Sequence, residues 1–289
     1  MKLHAAGHGY DAAADADTLH RAAELNRHDP LRDGAMLRFP DYGQVVMTGD
    51  LHGHERNFSK LQRYADLGNT GARHVILHEL IHADVPGDDL SHRVLVRAAR
   101  WKTEFPDQVH FLQSNHELSQ LTGKEICKGG RIVTFSFEAG VATTYGKRAG
   151  EVLDAVMDYI ESLPVAARTA NRILLSHSLP NANAWPVFDA TALKRLPLFD
   201  DFNEGGPVYS MVWGRYHTPD LLDEIARAFN VDCFIVGHQP QESGYDVVHG
   251  RMIILASDHD HGVFLPFDLK KTQTVADLTR LIRPCASIA

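Results

Sequence analysis

The chain is poor in the features that would place it outside the soluble globular class. It has three cysteines, Cys127, Cys233 and Cys285, an odd number with no C-x-x-C pair. That spacing excludes a disulfide framework and a thiolate zinc site, and it suits a reducing cytoplasm. No apolar run approaches the roughly 18–20 residues needed to span a bilayer. Asp11, Asp15 and Asp17 stand where a secretory leader would be apolar, so none is expected. Positive charge is also short. Against 37 Asp+Glu there are 29 Lys+Arg, a formal net charge of −8, which argues against a nucleic-acid or anionic-membrane surface. Internal repeats, low-complexity tracts and Pro/Gly/Ser linkers are missing too.

What remains is an ordinary globular composition, 44% hydrophobic over 289 residues, with 18 histidines. Six short apolar, β-branched runs read as buried strands: 44–47, 74–77, 109–112, 173–175, 233–236 and 252–255. Helical spacing separates them, in Leu61-Tyr64-Ala65-Leu67, Leu95-Val96-Ala99-Trp101 and Val152-Val156-Ile160-Leu163. Thr218-Pro219-Asp220 supplies a hydroxyl cap, a proline at the first helical position and an acid in the first turn. The alternation predicts a layered α/β fold in one main domain, residues 41–289. Residues 1–40 read as a helical addition packed on it, with Leu19, Ala22, Ala23 and Leu25 on one stripe.

Ligands collect at the carboxyl ends of strands in such sheets. The residues there are Gly49-Asp50-Leu51-His52-Gly53, then Glu79, then Ser114-Asn115-His116-Glu117, then His177, then Gly237-His238. Carboxylates, imidazoles and one amide without thiolate suit Mn²⁺, Fe or Zn²⁺ better than Ca²⁺. Two such ions roughly 3.5–4 Å apart would activate a water and clamp phosphoryl oxygens, with a spare histidine to protonate a leaving alkoxide.

These blocks resemble the calcineurin-like metallophosphoesterases, and within them the phosphoprotein (serine/threonine) phosphatase group. The family's Gly-Asp-x-His-Gly block is Gly49 to Gly53. Its Gly-Asn-His-Glu block is Ser114 to Glu117. A looser His-Gly-Gly-Leu-Ser-Pro block is Ser176-His177-Ser178-Leu179-Pro180, and the late block is Val236-Gly237-His238-Gln239-Pro240. The likeness runs from about Val45 to Phe264. It implies a layered α/β/β/α sandwich with a dinuclear metal centre and a bridging hydroxide. Asp50 and His52 would hold the first metal, Asn115, His177 and His238 the second, and His116 would be the general acid. Pro240 stands two positions after His238 in place of a second histidine, which favours the phosphatase branch.

The second block departs from the family's Gly-Asp-x-x-Asp-Arg-Gly and reads His78-Glu79-Leu80-Ile81-His82-Ala83-Asp84. Glu79 falls at the metal-bridging position. His82 replaces the acid that orients the catalytic histidine, and Ala83 replaces a phosphate-binding arginine. Asp84 is a candidate to orient His116, and His78 and His82 read equally as supports, donating to a ligand or the nucleophile, or as structure. Arg215 is the candidate phosphate ligand that compensates for Ala83. The cluster Ser257-Asp258-His259-Asp260-His261 reads as a solvated turn, as pocket lining or as the source of a further ligand. Lys124, Lys128, Arg131 and Lys147-Arg148 read as solvated loop charges, with a loop facing an anionic substrate as the alternative, and Trp185 and Trp213 as packing. The expected activity is a phosphomonoesterase using two divalent ions, Mn²⁺ and/or Fe with Zn²⁺ as an alternative, on a phosphorylated protein or small phosphate ester. A dinucleoside polyphosphate hydrolase and an inactive relative acting as a binding protein stay open as alternatives.

Overall fold

The computed structural model describes residues 10–83, 87–128 and 130–289. Helix α1 (Ala12–Arg27) leads into strands β1 (Arg32–Asp33) and β2 (Met36–Phe39). Alternating elements follow: β3 (Gln44–Asp50), α2 (Glu55–Ala65), β4 (Arg73–His78), α3 (His92–Glu104), β5 (Val109–Leu112) and α4 (Asn115–Thr122). A small hairpin, β6 (Cys127–Lys128) with β7 (Arg131–Ile132), precedes α5 (Val133–Tyr145) and α6 (Ala149–Ser162). The remainder comprises β8 (Ala166–Thr169), β9 (Ile173–Ser176), α7 (Pro207–Trp213), α8 (Pro219–Phe229), β10 (Cys233–Val236), β11 (Tyr245–Val248), β12 (Met252–Leu255), β13 (Val263–Asp268), α9 (Val275–Thr279) and β14 (Arg283–Pro284).

The strands form two main sheets, ordered β14-β13-β3-β4-β5 and β1-β2-β8-β9-β10-β12-β11. Their centres are parallel: β3 with β4, β4 with β5, β9 with β10, and β10 with β12. Alternation along each strand divides the core. Val45, Met47, Ile76 and Leu112 face Leu175, Ile235 and Ile253 between the sheets. Val46, Val75, Leu77 and Phe111 point the other way, onto Leu95, Val152 and Ile160 of the helices. Leu174, Phe234 and Ile254 pack outward on Val212, Leu222 and Ile225. The order of layers is therefore α/β/β/α, as the resemblance implied. Strands covered on both faces read as continuous apolar runs, which is why all six expected runs are strands here.

Helix α1 starts at Asp11, whose carboxylate accepts from the Ala13 and Ala14 amides. Leu19, Ala22 and Ala23 are buried beside α3 and α6, whereas Leu25 is half-buried. Strand β2 lies in the same N-terminal stretch and pairs in parallel with β8 in the seven-stranded sheet. Behind it, fully buried Lys102 donates to Asp29 Oδ2 at 2.9 Å, and His110 Nδ1 meets the same oxygen at 2.8 Å. Thr218 caps α8 by accepting from the Leu221 amide at 3.3 Å.

Two links bring the sheets together at one edge. Asp50 bridges Ala256, and the Ser257 amide donates to the Asp50 carbonyl at 3.0 Å. The carboxyl ends of β3, β4, β9 and β10 and the start of α4 thus open on one space.

Candidate metal centre

Each expected ligand is set by the element that ends beside it. Asp50 closes β3, Glu79 follows β4, Asn115 and His116 open α4, His177 follows β9 and His238 follows β10. Both Asp50 carboxylate oxygens accept from the His238 amide at 2.9 Å. Gly237 makes this approach possible, because a Cβ there would lie 2.2 Å from Asp50 Oδ1. His52, Glu79, His82 and His238 all have positive φ, at 42°, 50°, 63° and 69°. Left-handed backbone is costly for such residues and concentrates where side chains must be aimed. Ser114 caps α4 and hydrogen-bonds Glu117, while Glu117 Oε1 accepts from the Leu80 amide at 2.7 Å. That bond ties the loop after β4 to the helix carrying Asn115 and His116.

The donor atoms converge. His177 Nε2 lies 2.6 Å from Asn115 Oδ1, 3.1 Å from His238 Nδ1 and 3.5 Å from Glu79 Oε1. His238 Nδ1 is 2.9 Å from Asn115 Oδ1. On the other side of Glu79, His52 Nε2 is 3.5 Å from Oε2. His52 Nδ1 donates to the Ile81 carbonyl at 3.0 Å, which leaves Nε2 with a free lone pair. Two groups, Asp50-His78-His177 and His52-Glu79-His116, each bring their ligand atoms within 4.8 Å of one another.

The electrostatics fit divalent cations. Burial, then repulsion from Asp50, pushes the Glu79 carboxyl well above the usual carboxylate range. Burial also opposes charge on Asp50, but the imidazoles, His78 first, hold it low. Two buried carboxylates at one spot cannot both ionise without a compensating positive charge. Burial, followed by their neighbouring imidazoles, keeps His116 and His177 well below the ordinary histidine range, so both offer neutral nitrogens. Glu79 Oε1 and His238 Nε2 are buried with no hydrogen-bond partner among the described residues. The donor set is nitrogen and oxygen without sulfur, which suits Mn²⁺, Fe or Zn²⁺.

A family model of calcineurin-like phosphoesterases matches residues 43–242. The chain belongs to that family. This calcineurin-like phosphoesterase is therefore a metal-dependent hydrolase of phosphoric esters. Among solved structures it is similar to a protein serine/threonine phosphatase from Saccharomyces cerevisiae described as similar to human phosphatase PP5. That likeness has 15% identity and a TM-score of 0.72, and covers 96% of this chain and 94% of the other. It is also similar to a cold-active protein-tyrosine phosphatase of a psychrophilic Shewanella, at 16% identity and a TM-score of 0.52, over 86% and 80% of the two chains. Both show the shared fold. A search of curated protein sequences returns no match.

In this phosphoesterase the ligand groups surround a cavity of about 60 Å³, lined by Asp50, His52, Glu79, Asn115, His116 and His238. Arg215, Lys128 and Asp258 complete its wall. His82 stands behind His116, Nδ1 to Nδ1 at 3.0 Å, while Asp84 lies outside the described residues. Asp258 is pocket lining, whereas Ser257 Oγ donates to the Val263 carbonyl and accepts from the Gly49 amide. His259 turns away to the Gln241 carbonyl at 2.9 Å. Trp213 packs on Tyr209, and Trp185 stacks on Phe188, as expected of packing residues.

Two residues gain importance over the sequence reading. His78, left open between support and structure, places its Nδ1 3.1 Å from His177 Nδ1 and 3.5 Å from Asp50 Oδ1. Its Nε2 donates to the Thr48 carbonyl at 2.9 Å. Lys128, read as a solvated loop charge or as part of a loop facing an anionic substrate, enters the cavity, with Nζ 3.1 Å from His52 Nε2. No linear motif marks Lys128, because the hairpin that carries it folds back over the site only in three dimensions.

Proposed function

We propose that the protein is a phosphomonoesterase of serine/threonine phosphatase type, acting through two divalent ions, Mn²⁺ and/or Fe. The observation that carries this reading is that the two oxygens of Glu79 face different imidazoles, Oε2 lying 3.5 Å from His52 Nε2 and Oε1 3.5 Å from His177 Nε2. Asp50, His52 and Glu79 would hold one ion, and Glu79, Asn115, His177 and His238 the other. When bound, the ions supply Lewis acidity for the phosphoryl oxygens and for a nucleophilic water.

The remaining work falls to the chain. Arg215 offers a guanidinium to the phosphoryl oxygens at the cavity wall. His116 holds its Nδ1 proton toward His82, which leaves Nε2 bare in the neutral ring; Nε2 would take up a second proton from solvent and deliver it to the departing ester oxygen as the P–O bond breaks. The cavity of about 60 Å³ admits little more than the phosphoryl group. A neighbouring hollow of about 400 Å³ shares His52 and Asp258 with it and would take the rest of the ester. The serine/threonine phosphatase neighbour supports a phosphorylated protein as the substrate. Three free cysteines suit a reducing, cytoplasmic setting.

The test is hydrolysis of p-nitrophenyl phosphate by chelator-stripped protein, with and without Mn²⁺. Turnover restored by Mn²⁺ is the expected result. No turnover with Mn²⁺, Fe²⁺, Co²⁺ or Zn²⁺, at two bound ions per chain, would overturn the reading. Parallel assays on a phosphoserine peptide and a dinucleoside tetraphosphate then identify the substrate class.

A further inference from the structure

Two cations line the 60 Å³ cavity, and they come from unrelated parts of the chain. Lys128 sits on the β6–β7 hairpin, and Arg215 follows α7. Both are half-buried, and neither has a carboxylate within ion-pair distance among the described residues. A partly desolvated positive charge is unfavourable without a counterion, so a cavity lined by two of them suits an anion. Lys128 acts on Glu79, but Glu79 and Asp50 belong to the ligand groups, whose charge bound ions would take up, and the charge of Asp258 acts on His52.

The two cation-bearing segments are braced against each other. Lys124, four residues before Lys128, donates to Tyr209 Oη at 2.5 Å and to Glu204 Oε2 at 3.0 Å. Its ammonium also lies over the rings of Tyr209 and Trp213, at 4.5 and 5.2 Å from their centroids. Tyr209 and Trp213 belong to α7, which ends just before Arg215. The stem of the hairpin loop is thus fastened to the helix that delivers the guanidinium, and Lys128 and Arg215 reach the cavity as one unit.

We propose that Lys128 and Arg215 form a two-cation clamp on the non-bridging oxygens of a phosphomonoester dianion and so select monoesters over diesters. This rests on the phosphomonoesterase reading and adds the residue that sets its substrate class. A monoester dianion presents three non-bridging oxygens and two charges; a diester presents two oxygens and one charge. The planar guanidinium grips two oxygens, and the compact ammonium of Lys128 meets the third. A diester replaces that third oxygen with an uncharged ester oxygen and gains little from Lys128. The motif position that reads Ala83 sends no cation into the cavity, so Lys128 is the second positive arm.

The experiment compares wild type, Lys128→Met and Lys128→Arg after reconstitution with Mn²⁺. Elemental analysis counts bound metal, calorimetry measures orthophosphate binding, and kcat/KM is measured for p-nitrophenyl phosphate and bis(p-nitrophenyl) phosphate. Lys128→Met should keep its metal and bind orthophosphate roughly 10–100-fold more weakly, the effect of losing one charge-assisted hydrogen bond. Its monoester kcat/KM should fall by a similar factor while diester kcat/KM stays within about threefold, and Lys128→Arg should recover part of the loss. Unchanged orthophosphate affinity, equal losses on both esters, or loss of metal in Lys128→Met would each overturn the clamp. Orthophosphate binding needs no turnover. A wild type that binds phosphate through Lys128 but hydrolyses neither ester would reject the phosphomonoesterase reading and leave the clamp standing.

Discussion

His82 Nδ1 and His116 Nδ1 lie 3.0 Å apart, and His82 Nε2 lies 2.8 Å from Gln120 Oε1. An amide oxygen can only accept, so His82 carries its proton on Nε2 and presents a bare Nδ1 to His116. His116 therefore keeps a proton on Nδ1. A neutral imidazole does here what an acid at this position would do, fixing the ring and its tautomer while leaving His116 Nε2 facing the cavity. Gln120 is held in turn by donating to Glu138 Oε1 at 3.1 Å.

Removing this support should slow chemistry and spare binding. His82→Ala is expected to lower kcat by roughly 10–100-fold, with KM and metal content near wild type. The loss should be larger for phenyl phosphate than for p-nitrophenyl phosphate, because a poorer leaving group depends more on the proton from His116. His82→Asp, which also accepts from Nδ1, should restore much of the rate. Equal losses on both esters would reduce His82 to a packing role.

Replacing the acid itself should be more severe. His116→Asn is expected to lower kcat by roughly 10²–10⁴-fold while two metal ions per chain remain bound. Wild-type turnover in that variant would remove His116 from the proton transfer.

Glu79 lies 3.5 Å from both His52 Nε2 and His177 Nε2, and in the proposed two-ion centre its charge would hold the second ion. Glu79→Gln should reduce Mn²⁺ below two per chain by elemental analysis and should lose most of the thermal stabilisation that Mn²⁺ gives. Glu79→Asp, shorter by one methylene, should keep both ions more weakly. Two tightly held ions in Glu79→Gln would show that the carboxylate is dispensable.

Stability should depend on pH through histidines away from the metal centre. Burial, then the neighbouring His110, lowers His74 from 6.5 to about 4, and burial, then Arg93, lowers His92 to about 4. Between pH 6.5 and about 4 the unfolded chain takes up protons that these folded imidazoles refuse. Their contribution is complete above pH 6.5 and is lost as pH falls through that window, by roughly 1 kcal/mol per pH unit for each group. His92 lies among Tyr10, Phe137 and Tyr145, and among the described residues neither ring nitrogen has a hydrogen-bond partner. His92→Phe should therefore flatten the fall in Tm between pH 6.5 and 4 relative to wild type. Parallel Tm profiles would contradict the assignment.

The buried Lys102–Asp29 pair should matter more than any surface ion pair. Asp29→Ala leaves the Lys102 ammonium in the core without its partner and should cost roughly 3–5 kcal/mol in urea unfolding. Adding Lys102→Met should recover most of that loss. A single variant within about 1 kcal/mol of wild type would show that the pair is offset by solvent.

The sequence by itself determined the layers and the positions of most candidate ligands along the chain. Its β-branched runs are buried on both faces, and Asp50, Asn115, His177 and His238 each sit within three residues of a run's end. Such signals are local, because a strand and the turn that follows it are written in consecutive residues. Strands β2 and β8 were not marked as runs. Met36-Leu37-Arg38-Phe39 and Ala166-Ala167-Arg168-Thr169 each carry an arginine, and it is their pairing with each other that makes them sheet. Only the tertiary structure decided the pairings within the site. His82 meets His116 across 34 positions, Lys128 meets His52 across 76, and His78 meets His177 across 99. These contacts follow from the order in which the strands pair and from the return of one hairpin over the sheet edge. Both are set by the packing of three apolar layers, which no single stretch of the chain encodes.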